Sequence, residues 1–162
     1  MICKAVVKDL DELFEIEQEC FPKEQAASHE ALKGRLLVYP DHFFLLKDGD
    51  RIVSFINGPY SNAKDLCDDM YVDPFLHDES GTWQFLLGVD TRTAYRNHGC
   101  ASRLMHECID ECRRQGRSGI VLTCLENMIP FYERFGFANE GISESVHGDA
   151  LWYQMRLILR HP

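Results

Sequence analysis

Arg96-Asn97-His98-Gly99-Cys100-Ala101 stands between a nearly continuous apolar run, Trp83 to Val89, and a helix-periodic segment, 100–115. The apolar run reads as one strand buried on both faces. In 100–115, Ala101, Leu104, Met105, Cys108, Ile109 and Cys112 recur at i, i+3, i+4, i+7, i+8 and i+11. That spacing lays one apolar stripe along an amphipathic helix. Gly116 and Gly119 bracket its exit, and Ile120 to Cys124 reads as the next strand. A helix of that length between two strands predicts a right-handed parallel crossover. The expected class is therefore α/β, with a mixed sheet.

The flanks agree. Ile2 to Val7 is a short β-prone run. Asp9 with Glu12 three residues on suggests a capping box for a helix over 9–20, closed before Pro22. Ser28 is placed to cap a second helix that ends at Pro40. Phe43 to Lys47 and Ile52 to Ile56 flank Asp48-Gly49-Asp50, a hairpin signal. The stretch 58–82 is polar and turn-rich, with a short helix expected near 63–70. Pro130 sits in the first turn of a short helix ending at Gly136. Phe137 to Val146 and Leu151 to Leu159 close as an antiparallel pair around His147-Gly148-Asp149.

A chain of 162 residues with 45% apolar and 27% charged residues has the size and composition of one soluble domain, 1–162. The net charge of −9 excludes a basic nucleic-acid footprint. No apolar run approaches a membrane span, and Met1 to Lys8 lacks a secretory h-region. The seven cysteines are odd in number and form no CxxC pair, so neither a disulfide scaffold nor a thiolate metal site is expected. A reducing, cytoplasmic setting follows from that usage. No His or Cys spacing points to a metal.

The 96–101 loop can hold an anion. A helix start leaves backbone N–H groups without intrahelical acceptors, and the macrodipole makes that end positive. Gly99 has no Cβ to keep an anion away, Ala101 is small, and Arg96, with Arg103 one turn on, adds charge. The same residues also suit an ordinary strand-to-helix turn. The loop is neither a Walker loop nor a dinucleotide fingerprint, since it lacks GK[ST] and the three spaced glycines.

A second segment, Asn127-Met128-Ile129-Pro130-Phe131-Tyr132-Glu133-Arg134-Phe135-Gly136-Phe137, accompanies it. Together the two resemble the Gcn5-related N-acetyltransferase (GNAT) superfamily. Arg96, Gly99 and Ala101 match its R/Q-x-x-G-x-G/A loop, and Phe131-Tyr132, Gly136 and Phe137 match its late F/L-Y-x-x-x-G-F element. Cys20-Phe21-Pro22 through Ala26-Ala27-Ser28, Glu30 and Leu32 resembles the segment that covers the amine site in the arylalkylamine and polyamine N-acetyltransferase branch.

The resemblance implies a GNAT-like single domain: a mixed, mostly antiparallel sheet with a parallel central strand pair, flanked by helices. It implies acetyl-CoA as donor and a small primary amine as acceptor, with direct transfer in a ternary complex. Leu87, Gly88 and Val89 would line the pantetheine arm, with an amide near Leu87 or Gly88 facing the thioester oxygen. Arg96, Asn97, His98, Gly99, Cys100 and Ala101 would hold the diphosphate. Asn127 would bond the arm or cap the short helix. Tyr132 would give the leaving thiolate its proton, as a phenol with a pKa of about 10 remains protonated at neutral pH.

The base is not carried over. Two strand histidines of the animal melatonin-pathway enzyme fall here on Trp83 and Phe85, which take no proton. Val89 to Arg96 is two residues longer than the family pattern. His77, Asp78 and Glu79 could end a water relay, and Asp68 and Asp69 could hold a cation; all five also suit a solvated surface. Cys100 at a helix start could be an activated thiol, but nothing in the spacing supplies its partners. Two other readings stand beside the enzyme of small amines: a CoA-binding module without catalysis, and an acetyltransferase of protein N-termini or lysines. Self-association as a homodimer is open.

Overall fold

The computed structural model describes residues 1–161. Its strands are β1 (Ile2–Lys4), β2 (Phe43–Asp48), β3 (Arg51–Asn57), β4 (Tyr60–Ser61), β5 (Trp83–Leu86), β6 (Gly88–Thr91), β7 (Gly119–Cys124), β8 (Ala138–Ile142) and β9 (Tyr153–Ile158). The helices are α1 (Leu10–Cys20), α2 (His29–Val38), α3 (Asp69–Val72), α4 (Cys100–Arg114) and α5 (Ile129–Glu133). The strands form two sheets, ordered β1-β2-β3-β6 and β4-β5-β7-β9-β8. β5 and β7 are parallel, in register from Trp83–Gly119 to Leu86–Leu122; every other described pairing is antiparallel. This is the mixed sheet with one parallel pair that the resemblance implied.

The expected strand 83–89 is corrected in one respect. It breaks at Leu87, and its two halves belong to different sheets. The cause lies on the facing ribbon. Gly58 runs so close that a Cβ there would stand 1.8 Å from Phe85 O. Leu87 N–H donates to Asn57 O and Phe85 N–H to Pro59 O, each at 2.8 Å, so the ribbon crosses at the break. Gln84, wholly buried, donates from Nε2 to Gly58 O at 2.8 Å and satisfies the carbonyl that the crossing would orphan. β6 then peels away from β7, and a gap opens between them.

Between Val89 and Arg96 the chain finishes β6 at Thr91 and makes a short turn over Thr93–Tyr95. Asp90 and Thr91 pair with Phe55 and Ser54. Arg92 is buried, with Nε donating to Ile52 O at 2.7 Å and its other nitrogens facing Glu12 and Glu15.

The α4 stripe reads through: Leu104, Met105, Cys108, Ile109 and Cys112 are buried with Phe44, Ile56, Leu86, Ile120 and Leu122. A second cluster holds Leu13, Ile16, Leu32 and Leu36 from α1 and α2 against Phe43, Leu45 and Phe55. Ser28 caps α2 as expected, its Oγ accepting from Ala31 N–H at 3.0 Å. The Asp9/Glu12 capping box does not form. Asp9 accepts from Val6 N–H, and Glu12 turns outward to accept from Ile52 N–H, both at 2.9 Å. The helix expected near 63–70 is instead α3, a single turn over 69–72. Among the described residues no helix is long and apolar enough to cross a membrane. All seven cysteines are free.

Candidate functional site

The gap between β6 and β7 is the mouth of a cavity of about 810 Å³. β6 has one strand partner, so its other edge is open. β7 outruns β5 by two residues, and Thr123, Cys124 and Leu125 form the opposite wall. Of the residues singled out in the sequence, Leu87, Gly88, Val89, Arg96, Asn97, Gly99, Cys100, Ala101, Asn127 and Tyr132 line this one space. They come from three separate segments that the fold brings together.

At one end lies the α4 start. Gly99 has φ 78°, the left-handed conformation in which glycine is favoured, and Asn97 has φ 63°. A Cβ on Gly99 would meet nothing within 4 Å, so the cradle in front of it is open. The first intrahelical bond runs from Arg103 N–H to Gly99 O at 3.0 Å, which leaves the amides of Cys100, Ala101 and Ser102 outside the helical ladder. Arg96 is exposed at the rim, its Nε donating to Thr91 O at 3.3 Å. These donors fit a diphosphate.

Two expectations for this loop are corrected. The His98 side chain is exposed and outside the lining, its Nδ1 turned back to Arg96 O at 2.7 Å. Only its main chain could touch a ligand. Arg103 also lies outside the lining. Cys100 is buried, with Sγ donating to Tyr95 O at 3.6 Å, and no hydrogen bond joins it to a His among the described residues, so an acyl-enzyme role lacks its base.

At the middle stands Tyr132, buried on α5, with its ring edge-on to Phe131 and Phe137. Burial, then the charges of Cys124 and Asp90, pushes its phenol well above the ordinary range. The group therefore stays a neutral O–H donor across physiological pH. Asn127 lines the same wall at the entry to α5.

At the other end are Phe21, Pro22 and Gln25 from the segment after α1, Tyr71 of α3, and His147 and Trp152 from the turn before β9. The two covering segments are tied together: His147 Nε2 donates to Gln25 O at 2.7 Å, and Trp152 Nε1 to His147 O at 2.7 Å. Asp68, considered as a cation holder, instead accepts from Ser145 Oγ and from Val146 N–H, anchoring that turn. It is outside the lining, as are Asp69, His77, Asp78 and Glu79. Trp83 and Phe85 also face away. Phe85 is in a cluster with Leu66, Met70 and Val121, and Trp83 lies under the Arg156 guanidinium.

Sequence reasoning missed a polar group behind this end. Glu17 of α1 lines the cavity, and Asp90 of β6 is wholly buried beside it. Burial, then the charge of Glu17, raises the Asp90 carboxyl well above its usual range; Arg35 opposes the rise. Arg35 is buried, with Nη1 on Asn57 Oδ1 at 3.0 Å and Nη2 on Tyr71 O at 2.9 Å. A signal existed. Glu17 follows Leu10, Leu13 and Ile16 on the buried face of α1, and Asp90 interrupts an apolar strand.

One trio elsewhere has its candidate ligand atoms within 4.8 Å of one another: His42, His77 and Glu79. Tyr60 N–H donates to His77 Nδ1 at 2.9 Å, which leaves the ring proton on Nε2, 2.7 Å from Glu79. A protonated ring nitrogen does not ligate, so this is a hydrogen-bonded latch.

The fold recurs among solved structures. The chain is similar to the loading GNATL domain of CurA from Lyngbya majuscula (TM-score 0.85, 19% identity, 98% and 96% of the two chains covered). It is also similar to the GphF GNAT-like decarboxylase in complex with isobutyryl-CoA (0.79, 22%, 99% and 100%). A third is the ribosomal-protein-S18-alanine N-acetyltransferase from Escherichia coli (0.74, 17%, 100% and 95%). At such identities the likeness speaks for the fold alone. No match was found among curated protein sequences. The model of the acetyltransferase (GNAT) family matches residues 10–137, the span from α1 through the Tyr132 element, and so the chain belongs to that family of acetyl-CoA-dependent acetyltransferases.

Proposed function

We propose that this chain moves an acetyl group from acetyl-CoA to the nitrogen of a small primary amine of the arylalkylamine type, by direct transfer. The observation that carries the reading is the acceptor end of the cavity. There Phe21, Tyr71, His147 and Trp152 share the lining with one carboxylate, Glu17. Aromatic faces and one anion suit a molecule with one ring and one ammonium. A polyamine needs several acidic partners, and Asp68 is occupied by the covering turn. A peptide needs an open groove, whereas the segments joined by His147 and Gln25 roof this end.

The chain's groups then divide the work. The α4 amides and Arg96 take the diphosphate. The open edge of β6, from Gly88 to Val89, accepts the pantetheine arm as an added strand would be accepted. The Leu87 N–H is spent on Asn57 O, so the donor to the thioester oxygen as its charge grows is a backbone N–H of the open β6 edge, Gly88 to Val89; losing such a donor costs roughly 3 kcal/mol of barrier. Tyr132 gives the departing sulfur its proton. Thiol release, measured over a panel of arylalkylamines, polyamines and N-terminal peptides, tests the reading. Turnover highest on arylalkylamines is expected. Folded protein that binds CoA and acetylates none of them would overturn it.

A further inference from the structure

Four polar atoms on three elements converge behind Gly88 without partners. A methyl group on Gly88 would stand 3.0 Å from Asp90 Oδ1, 3.1 Å from Asn57 Nδ2 and 3.6 Å from Glu17 Oε1. Those three atoms, with Asp90 Oδ2, are buried and make no hydrogen bond in the structure. Asp90 and Asn57 are completely buried, and Glu17 is 5% exposed. Each orphan costs about 1–3 kcal/mol of desolvation, more for a charged group, so a fold does not gather them without use. The other atoms of the set are fixed. Glu17 Oε2 accepts from Ala27 N–H at 2.8 Å, and Asn57 Oδ1 accepts from Arg35. What the site lacks is a proton between two carboxyls. What it adjoins is the strand edge where the thioester is expected.

We propose that Glu17 and Asp90 form a carboxyl pair that takes a proton from the acceptor ammonium and holds it between them. This rests on the amine reading given above. Glu17, at the cavity wall, is the catalytic base; Asp90, behind it, is a positioning residue that acts through Glu17. The ammonium carries three protons. One passes to the pair and frees the nitrogen lone pair. The nitrogen attacks the thioester carbonyl, the C–N bond forms, and the C–S bond breaks with its electrons leaving on sulfur. The second proton leaves nitrogen as the amide forms and balances the one that Tyr132 gives to sulfur. The third stays on the amide. The pair then releases its proton to water. Net, ammonium and thioester yield amide, thiol and one proton.

The groups that face the pair are Cys20 from its own helix, Arg35 from α2, Tyr71 from α3 and Tyr132 from α5. Arg35 is the one cation among them and keeps the emptied pair from being prohibitive. Cys20 and Tyr132 hold their own protons at neutral pH, since burial raises both. Gly88 leaves them the short path to the reacting atoms, which any side chain would block.

The test uses kcat/KM against pH on the amine that wild type turns over best, with CoA affinity measured by calorimetry on the same preparations. Glu17→Gln is expected to lose 10²- to 10⁴-fold in kcat with CoA affinity within twofold. Asp90→Asn removes the like charge that retains the proton, and its acid limb is expected to move to lower pH by about a unit or more. A merely structural aspartate would change the height of the profile and leave the limb in place. A wild-type limb in Asp90→Asn, or a loss under threefold in Glu17→Gln, overturns the proposal. Should either variant not fold, carboxyl ¹³C resonances of the wild-type protein decide. Two signals moving together through one shared transition support the pair; two independent transitions in the ordinary carboxylate range overturn it. Wild type without turnover on any amine would sink the amine reading, a different outcome from an unmoved limb.

Discussion

His147 lies flat on Tyr71, with ring centroids 4.2 Å apart and planes within 3°. The stack joins the turn before β9 to α3, and the imidazole proton on Nε2 goes to Gln25 O of the other cover. One side chain thus holds both halves of the roof over the acceptor end. The Tyr71 main chain is fixed in turn by Arg35.

His147→Ala removes one hydrogen bond and two aromatic contacts, with Tyr71 and Trp152, each worth about 1 kcal/mol. The amine KM is expected to rise roughly tenfold or more, with CoA affinity unchanged, because the α4 start is untouched. Steady-state kinetics with each substrate varied in turn measures this. A change confined to CoA would mean that the turn does not cover the acceptor.

Tyr132→Phe keeps the ring and its contacts with Phe131 and Phe137 and deletes only the donor. Turnover is expected to fall about 10²-fold, with CoA affinity within twofold. Burial holds the phenol protonated to high pH, so this group adds no alkaline limb below about pH 10. An alkaline fall near neutrality that vanishes in Tyr132→Phe would show that the hydroxyl titrates and is not the standing acid. Loss of CoA binding would show that its role is to hold the cofactor.

What the sequence made legible was what neighbours along the chain decide. The α4 stripe, the Ser28 cap, the hairpin at Asp48-Gly49-Asp50 and the Tyr132 element are all local periodicity or local turn chemistry. The break at Leu87 was not legible because its cause, the approach of Gly58 to Phe85, is a contact between remote residues. Glu12 failed as a capping partner for the same reason, since Ile52 N–H and Arg92 compete for its carboxylate. Asp68 looked like a free anion until the fold brought Ser145 and Val146 to it. The α4 end of the cavity, carried by one loop and one helix start, was readable. The acceptor end, assembled from five segments, was not.

Gly99→Ala tests the loop without crowding it. A Cβ there has open space, but φ 78° costs an L-residue about 1 kcal/mol. The melting temperature is expected to fall by about 2–4 °C in the absence of CoA. The stabilisation by saturating CoA is expected to shrink as well, because the cradle relaxes toward negative φ and its amides turn. Thermal shift with and without CoA separates the two effects. A CoA increment equal to wild type would place the diphosphate elsewhere.

The His42–Glu79–His77 latch makes stability depend on pH in a direction that can be worked out. Burial lowers the His42 pKa from its ordinary 6.5, against the pull of Glu79. His42 is 2% exposed, and its Nδ1 has no partner to receive a charge. The folded state thus binds a proton at this ring less readily than the unfolded chain. Stability from the neutral ring is complete above the unfolded value and is lost as pH falls below it. The melting temperature is therefore expected to decline from about pH 6.5 toward pH 5. His42→Gln, which keeps a donor toward Glu79 and cannot charge, is expected to start lower at pH 7.5 and to decline less steeply. Parallel slopes for the variant and wild type would assign the acid sensitivity to other groups. Asp90 has the opposite sign, since a raised carboxyl pKa in the fold adds stability as pH falls. The two sites can therefore be told apart by slope alone.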